Sequence, residues 1–189
     1  MTDAEIVKTI CPLQTRERFI HSLNVADMAK KLAERYGEDP KKAYTAGLIH
    51  DATKNISGEE QLALISSGGI ELSELEKNSP KLWHAVSGNV FAVEKFGIDD
   101  ADIINAVRYH TTGRAGMSML EKIIYVADFI SAERDYEGVE DIRHTAFESL
   151  EKAVYIGADF TVKKLNSLSL PVHPDTQRAR QFYKIYCKD

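Results

Sequence analysis

The sequence predicts an all-α protein folded as a single domain over residues 1–189. Apolar residues recur at helical spacing through most of the chain, and no segment alternates with the two-residue period of a strand over a useful length. Capping motifs also divide the chain into segments of helix length. A chain of 189 residues fits one domain, and no repeat, low-complexity tract or linker interrupts it.

The helices of the first half follow from their caps and their apolar spacing. Residues 14–36 carry apolar side chains on two faces, which predicts a long buried helix. Asp39-Pro40 supplies an N-cap and a first helical position, and the short helix that begins there runs to His50. The run Ser57-Gly58-Glu59-Glu60 is a capping box, and the helix that it begins ends at Gly68-Gly69.

The second half of the chain continues the same pattern. Ser118 and Glu121 form a second capping box, and Pro171 stops the helix that precedes it. The predicted helices of this half are 80–97, 103–110, 118–128, 140–166 and a last one from about residue 175. The sequence therefore predicts helices from end to end, with 140–166 as one continuous helix.

Composition narrows the class of protein. Hydrophobic residues make up 43% of the chain and charged residues 28%, which is typical of a globular domain. No apolar run approaches the roughly 20 residues of a membrane-spanning helix, so we expect no membrane partner. The start Met1-Thr2-Asp3-Ala4-Glu5 lacks the features of a secretory signal. The two cysteines suit a reducing compartment, and we expect a cytoplasmic protein.

The net charge of −5 argues against a broad nucleic-acid surface, and we expect no nucleic-acid partner. An acidic protein can still bind an anionic small molecule, because a bound metal reverses the local charge. Both expectations leave an anionic small molecule as an acceptable substrate.

Six side chains of metal-ligand type lie at apolar-face or end positions of the predicted helices: His21, His50, Asp51, His84, His110 and Asp128. A single histidine in such a place is usually a hydrogen-bonded core residue. Six together are harder to explain in that way, because buried carboxylates need a cation or hydrogen bonds. Histidine and aspartate suit a transition metal, and helical folds build metal sites from separate helices. The sequence therefore predicts a metal-dependent hydrolase.

The order His21, His50-Asp51 and Asp128 resembles the signature of the HD-domain metal-dependent phosphohydrolases. Longer runs resemble one subfamily, the YqeK-type symmetrical bis(5′-nucleosyl)-tetraphosphatases, over nearly the whole chain. The most distinctive of these runs are Arg108-Tyr109-His110-Thr111-Thr112-Gly113 and Pro171-Val172-His173-Pro174-Asp175-Thr176. One departure is Ser131-Ala132-Glu133, because the resemblance leads us to expect a Glu-Pro before Arg134.

The resemblance implies a helical HD-domain fold and the cleavage of diadenosine tetraphosphate into two ADP molecules. It implies metal ligation by His21, His50, Asp51 and Asp128. The mixed nitrogen and oxygen ligands favour iron, with manganese as the next candidate and zinc disfavoured. His84 and His110 are left with two roles: they hold a second ion with Asp51 as the bridge, or they contact phosphate oxygens and the leaving group.

The remaining site residues are assigned by charge and by the resemblance. The expected catalytic residues are Asp51, Lys54, His84 and His110. The expected substrate-binding residues are Arg18, Lys54, His84, His110, Thr111, Thr112, Arg134, His173 and Thr176. Each cation has an ordinary alternative as a surface charge or an internal ion pair. Trp83 suits a core position better than a stacking role.

Two other functions remain open at this point. One is another nucleotide phosphohydrolase or phosphodiesterase of the same fold, and the other is a nucleotide-binding sensor without catalysis. The oligomeric state is also open, with a homodimer as one option.

Overall fold

The computed structural model describes residues 2–187. All regular structure in this range is helical, without a strand, which confirms the predicted all-α class. The α-helices are α1 Asp3–Ile10, α2 Arg16–Tyr36, α3 Pro40–Ile49, α4 Gly58–Ser67, α5 Glu74–Lys77, α6 Trp83–Phe96, α7 Ala101–Tyr109, α8 Met119–Ile130, α9 Val139–Glu148, α10 Leu150–Ser167 and α11 Pro174–Tyr183. Short 3₁₀ turns occupy Cys11–Leu13, Pro80–Leu82 and Lys184–Cys187.

The capping signals place the helix starts as the sequence predicts. The Asp39 side chain accepts hydrogen bonds from the amides of the next helical turn, and Ser57 and Ser118 each complete a capping box. Each cap satisfies amide groups that have no partner within the helix. Two further capping boxes, at Thr2 and Ser73, begin the helices α1 and α5, which the sequence analysis did not predict.

The prediction of one helix over 140–166 is wrong, because the structure divides this segment at Ser149. Ser149 has an extended backbone, with φ −149° and ψ 105°, and it separates α9 from α10. Its side chain accepts a hydrogen bond from the amide of Lys152, so it serves as the N-cap of α10. Serine is a favoured N-cap residue, and here its local preference outweighs the helical periodicity of the flanking residues.

The core is organised around two close helix pairs and the buried helix α8. In the pair α2 and α3, a Cβ added at Gly47 would lie only 2.6 Å from Cα of Ala26, so the two backbones are almost in contact. In the pair α6 and α7, a Cβ added at Gly88 would lie 3.1 Å from Cγ1 of Val107. Helix α8 packs against both pairs and is buried over most of its length.

Arg143 of α9 binds the end of α8 and the loop that follows it. Arg143 donates hydrogen bonds to the carbonyl oxygens of Ile130, Ser131 and Arg134, at 3.0, 2.7 and 2.7 Å. These carbonyls lie at or beyond the last residue of α8, where helical hydrogen bonding ends. The loop 131–134 is therefore fixed against the bundle although it has no regular structure of its own.

Trp83 packs in a small satellite core with Ile65, Leu72 and Val86, and its indole N–H donates to the carbonyl of Glu76 at 2.7 Å. Its predicted core position is confirmed. His144 is exposed on α9. Among residues 2–187, no helix combines the length and the apolar character needed to cross a membrane.

Candidate metal centre

The six ligand-type side chains of the sequence meet at one place between α2, α3, α6, α7 and α8. His21, His84 and Asp128 project from α2, α6 and α8. His50 and His110 each follow the last residue of a helix, and Asp51 follows His50 directly. The four histidines and Asp51 are at most 5% exposed, and about a quarter of the Asp128 side chain is exposed.

The first half-site is the group formed by His21, His50, Asp128 and Oδ2 of Asp51. Nε2 of His21 lies 3.1 Å from Oδ1 of Asp128 and 3.3 Å from Nε2 of His50. Oδ2 of Asp51 lies 3.5 Å from Nε2 of His50 and 3.8 Å from Nε2 of His21. Two imidazoles and two carboxylates therefore face one another across a few ångströms.

The second half-site is the group formed by His84, His110 and Oδ1 of Asp51. Oδ1 lies 3.2 Å from Nε2 of His84 and 3.4 Å from Nε2 of His110. The two imidazole nitrogens are 3.2 Å apart. Asp51 thus presents one oxygen to each half-site, as the sequence analysis expected of a bridging carboxylate.

The ends of α3 and α7 determine how two of the histidines face the centre. Nδ1 of His50 lies 2.7 Å from the carbonyl oxygen of Gly47, and Nδ1 of His110 lies 2.7 Å from that of Val107. A carbonyl oxygen only accepts hydrogen bonds, so Nδ1 of each neutral ring carries the proton. The lone pair of Nε2 is then directed toward Asp51 in both cases.

The arrangement fits a bound transition metal. Oδ1 of Asp51 is buried and accepts no hydrogen bond from residues 2–187, although two imidazole nitrogens lie near it. Three groups have ligand atoms within 4.8 Å of one another: His21, His50 and Asp51; His50, His110 and Asp128; and Asp51, His84 and His110. A buried carboxylate oxygen without a partner is costly, and a cation near it would relieve that cost. Nitrogen and oxygen donors together are typical ligands of first-row metals.

The electrostatics of the first half-site favour the ionised carboxylates. Burial alone would raise the pKa of Asp51, but the surrounding imidazoles, His50 foremost, hold it well below its usual value. Burial opposes the charge of Asp128 as well, and the hydrogen bond with His21 brings the pKa of that carboxyl far below normal. Burial disfavours the protonated form of His21, yet the carboxylates around it raise its pKa above the ordinary value.

The second half-site has the opposite character. Burial lowers the pKa of His84 well below its usual value and also lowers that of Lys54. Nζ of Lys54 lies 3.0 Å from Nε2 and 3.1 Å from Nδ1 of His84. A neutral imidazole beside a lysine is therefore the normal state of this half-site near pH 7.

Two arginines lie at the rim of the first half-site and contact its carboxylates. Nη1 of Arg18 is 2.7 Å from Oδ2 of Asp51, and Nη2 of Arg134 is 2.8 Å from Oδ1 of Asp128. Their side chains are 30% and 39% exposed, so both can also be reached from solvent.

The remaining predicted substrate residues differ in whether they contact the histidines of the centre. Thr111 is part of the centre, because its hydroxyl oxygen lies 3.0 Å from Nε2 of His110 and 3.2 Å from Nε2 of His84. Thr112 and Thr176 are buried together, and the Thr176 hydroxyl donates to the Thr112 carbonyl at 2.9 Å. His173 caps α11 and is 3.8 Å from Glu76. Direct substrate roles for these last three remain predictions.

Sequence reasoning missed Glu133 as a participant in the site. Its carboxylate hydrogen-bonds to Nδ1 of His21, and this contact with other donors lowers the pKa of Glu133 to about 2, although burial opposes the charge. Gln14 was missed too, and its side chain donates to the backbone carbonyl of Asp51 at 3.0 Å. The one sequence signal was the departure from the expected Glu-Pro in the loop after α8.

This helical framework and its His-Asp centre are those of an HD-domain protein. The family model described as HD domain matches residues 18–133, a range that contains all six ligand-type side chains. A solved structure from Clostridium acetobutylicum, titled a predicted HD superfamily hydrolase involved in NAD metabolism, matches with a TM-score of 0.94 and 37% identity. The match covers 98% of each chain.

Sequence relatives narrow the class further. The protein named "Bis(5'-nucleosyl)-tetraphosphatase, symmetrical" from Bacillus subtilis is 41% identical, over 86% of this chain and 87% of its own length. A protein of the same name from Halalkalibacterium halodurans is 35% identical, over 93% and 94%. The chain therefore belongs to the HD-domain family of symmetrical bis(5′-nucleosyl)-tetraphosphatases, which confirms the resemblance.

Proposed function

We propose that the protein hydrolyses dinucleoside tetraphosphates, with diadenosine tetraphosphate as the reference substrate, into two nucleoside diphosphates. The observation that carries this proposal is the position of Asp51, whose two oxygens face two sets of imidazoles in a chain related to enzymes of that name. A mixed histidine and carboxylate centre of this kind is suited to hydrolysis of a phosphoanhydride.

We assign His21, His50, Asp51 and Asp128 as the ligands of a divalent metal, with iron as the first candidate and manganese as the second. When bound there, such an ion lowers the pKa of a coordinated water and polarises a phosphoryl oxygen. His84 and His110 are the ligands of a second ion in the alternative assignment. The donor set and its burial support a metal held by His21, His50, Asp51 and Asp128, because two ionised carboxylates lie in the first half-site.

The protein side chains would hold the polyphosphate and orient it. Arg18 and Arg134 can each donate two parallel hydrogen bonds to phosphate oxygens, and Lys54 can meet a phosphate as a point charge. The Thr111 hydroxyl lies between the imidazoles of the second half-site and can donate to a phosphate oxygen. The lowered pKa of His84 favours a neutral ring, which suits hydrogen bonding to phosphate better than a general acid role.

Symmetrical cleavage requires that the site hold one nucleoside and its first two phosphates, while the other half of the substrate leaves as a diphosphate. The product ADP keeps the contacts of the bound half, so we expect it to inhibit competitively. A cytoplasmic location and a homodimer remain predictions from the sequence.

The test is product chromatography on diadenosine tetraphosphate with the metal-loaded protein, in water enriched in oxygen-18. We expect two ADP molecules per turnover, with one labelled oxygen on the terminal phosphate of one of them. AMP and ATP as the main products would contradict symmetrical cleavage. A parallel panel of nucleoside mono- and diphosphates and cyclic nucleotides tests the other enzyme classes, and tight binding without turnover would indicate a sensor.

A further inference from the structure

A carboxylate lies behind His21, on the side of the ring opposite Asp51. Nδ1 of His21 hydrogen-bonds to Oε1 of Glu133, while Nε2 of the same ring faces Asp128 at 3.1 Å and His50 at 3.3 Å. Glu133 comes from the loop after α8, whereas His21 lies in the middle of α2. The contact therefore joins two distant parts of the chain behind a proposed metal ligand.

Two donors hold the Glu133 carboxylate in this position. The Ser131 hydroxyl donates to Oε1 at 2.7 Å, and the Asn24 amide donates to Oε2 at 2.7 Å. Ser131 is fully buried, and Asn24 lies one helical turn after His21 on the same helix. The carboxylate is thus oriented from both oxygens, and a third of its side chain remains exposed.

His21, His50 and His110 differ in which group hydrogen-bonds to Nδ1, the ring nitrogen that points away from Asp51. His50 and His110 terminate helices and reach the carbonyls of Gly47 and Val107. His21 lies within α2, where the backbone carbonyls are already used in helical hydrogen bonds, so its ring needs an acceptor from elsewhere. Glu133 supplies that acceptor.

We propose that Glu133 is a positioning residue of the metal centre and acts through His21. By accepting the Nδ1 proton it fixes the tautomer and the ring orientation, so that the Nε2 lone pair faces the first half-site. A carboxylate partner also makes the imidazole a more basic ligand, and loss of such partners typically weakens metal affinity by about 10- to 100-fold. This inference rests on the proposed metal assignment of His21.

The experiment measures the dissociation constant for Mn²⁺ by chelator competition, in the wild type and in Glu133→Ala, Glu133→Gln and Asn24→Ala. We expect Glu133→Ala to weaken binding by about 10- to 100-fold. Glu133→Gln should lose less, because its amide oxygen still accepts from Nδ1, and Asn24→Ala should lose least. The double variant Asn24→Ala/Glu133→Ala should be no weaker than Glu133→Ala, since Asn24 acts through Glu133.

The matched control is Asp135→Asn, which removes the same charge from an exposed side chain two residues further along the same segment. We expect it to bind Mn²⁺ as the wild type does. Thermal unfolding of the metal-free variants separates a loss of affinity from a loss of folding, and the visible spectrum of bound Co²⁺ reports a change of ligand geometry.

Wild-type affinity in Glu133→Ala would overturn the proposal, and so would an equal loss in Asp135→Asn, which would indicate a general charge effect. If Glu133→Ala does not fold, Glu133→Gln and Asn24→Ala still decide between the outcomes. A wild-type protein that binds neither Mn²⁺ nor Fe²⁺ would overturn the metal assignment itself, and that result is distinct from equal affinities in a metal-binding protein.

Discussion

The two half-sites share Asp51 but differ in the charges that surround them. The first half-site has the carboxylates of Asp128 and Glu133 on either side of His21. The second contains the neutral imidazole of His84 beside Lys54, and among the described residues its ligand group has no carboxylate besides Asp51. The first is therefore suited to hold a cation tightly, and the second is better suited to an anion or a more weakly held ion.

This difference gives the centre a polarity. A polyphosphate that spans both half-sites would meet the metal on one side and the hydrogen-bond donors Lys54, His84 and Thr111 on the other. Both half-sites contain imidazoles, so the neighbouring side chains determine which half-site holds a cation and which holds an anion. Three sets of substitutions test this interpretation, and two further sets test the packing and an ion pair of the surrounding fold.

The largest effect is expected from Asp51, because both half-sites depend on it. Asp51→Asn keeps the shape of the side chain but removes its charge, so we expect bound metal to be lost and kcat/KM to fall by more than about 100-fold. Metal analysis and steady-state kinetics measure both. Asp27→Asn, on the exposed face of α2, is the control. Full metal content in Asp51→Asn would contradict the assignment.

The next effect separates the two half-sites. Asp128→Asn should lose the metal of the first half-site and with it most activity. His84→Gln should keep one equivalent of metal and lower kcat/KM by about 10- to 100-fold, since a hydrogen bond to a charged phosphate contributes about 1.5–3 kcal/mol. Metal content per chain, measured after dialysis against a weak chelator, distinguishes the two. The reverse result, with metal lost only in His84→Gln, would exchange the roles of the half-sites.

The third test concerns how closely the two helices of each pair approach each other. Gly47→Ala brings a Cβ against the backbone of Ala26, which cannot move alone, so we expect a loss of about 1–3 kcal/mol in the free energy of unfolding. Gly88→Ala meets only the Val107 side chain, and the helix preference of alanine, about 1 kcal/mol, should offset most of that contact. Urea unfolding of both variants gives the ranking, and the opposite order would be inconsistent with it.

The fourth test concerns the cations. Arg18→Gln, Arg134→Gln and Lys54→Met should each raise KM by about tenfold, since a hydrogen bond to a charged group contributes about 1.5–3 kcal/mol. Metal content should stay at the wild-type level. Lys31→Met, an exposed position on α2, serves as the control. Wild-type kinetics in all three would show that these cations only neutralise the protein's own carboxylates.

The smallest expected effect is a pH-dependent loss of stability when the ion pair between Glu76 and Arg108 is removed. Burial would raise the pKa of Glu76, but hydrogen bonds from Ser73 and the charge of Arg108, 2.5 Å away, lower it below 4.5. Because the folded-state pKa is the lower one, this stabilisation is present above pH 4.5 and is lost as the pH falls through the folded pKa. Arg108→Gln should therefore lose more stability at pH 7 than at pH 3. An equal loss at both would contradict the ion-pair explanation.

The sequence predicted the members of the centre well because helical periodicity assigns side chains to faces. His50 was recognisable because it stands at the end of a predicted helix, and His110 because it continues the apolar series of Ile103, Ala106 and Val107. Asp128 was recognisable from its alignment with the buried face of α8. The closeness of α2 and α3 could not be predicted, since it depends on Gly47 meeting Ala26 from a different helix.

Loops gave less information, for physical reasons. The segment 131–134 has no periodicity, so nothing in the sequence placed Glu133 against His21. Ser149 illustrates a related difficulty, because an N-cap and a polar position within a helix look alike when the flanking residues keep the helical spacing. Thr176 was expected near the substrate, yet its hydroxyl is used to join α11 to the carbonyl of Thr112.

The hydrogen bonds from Arg143 to the loop after α8 affect how long the metal centre stays assembled. Loop 131–134 carries both Glu133 and Arg134, and the carbonyls of Ser131 and Arg134 at its two ends accept hydrogen bonds from this one side chain of α9. Local opening of the loop would release His21 and Asp128 from their partners without unfolding the bundle. Amide hydrogen exchange over these four residues therefore reports how often the first half-site is transiently disassembled, and Arg143 sets that frequency from outside the ligand set.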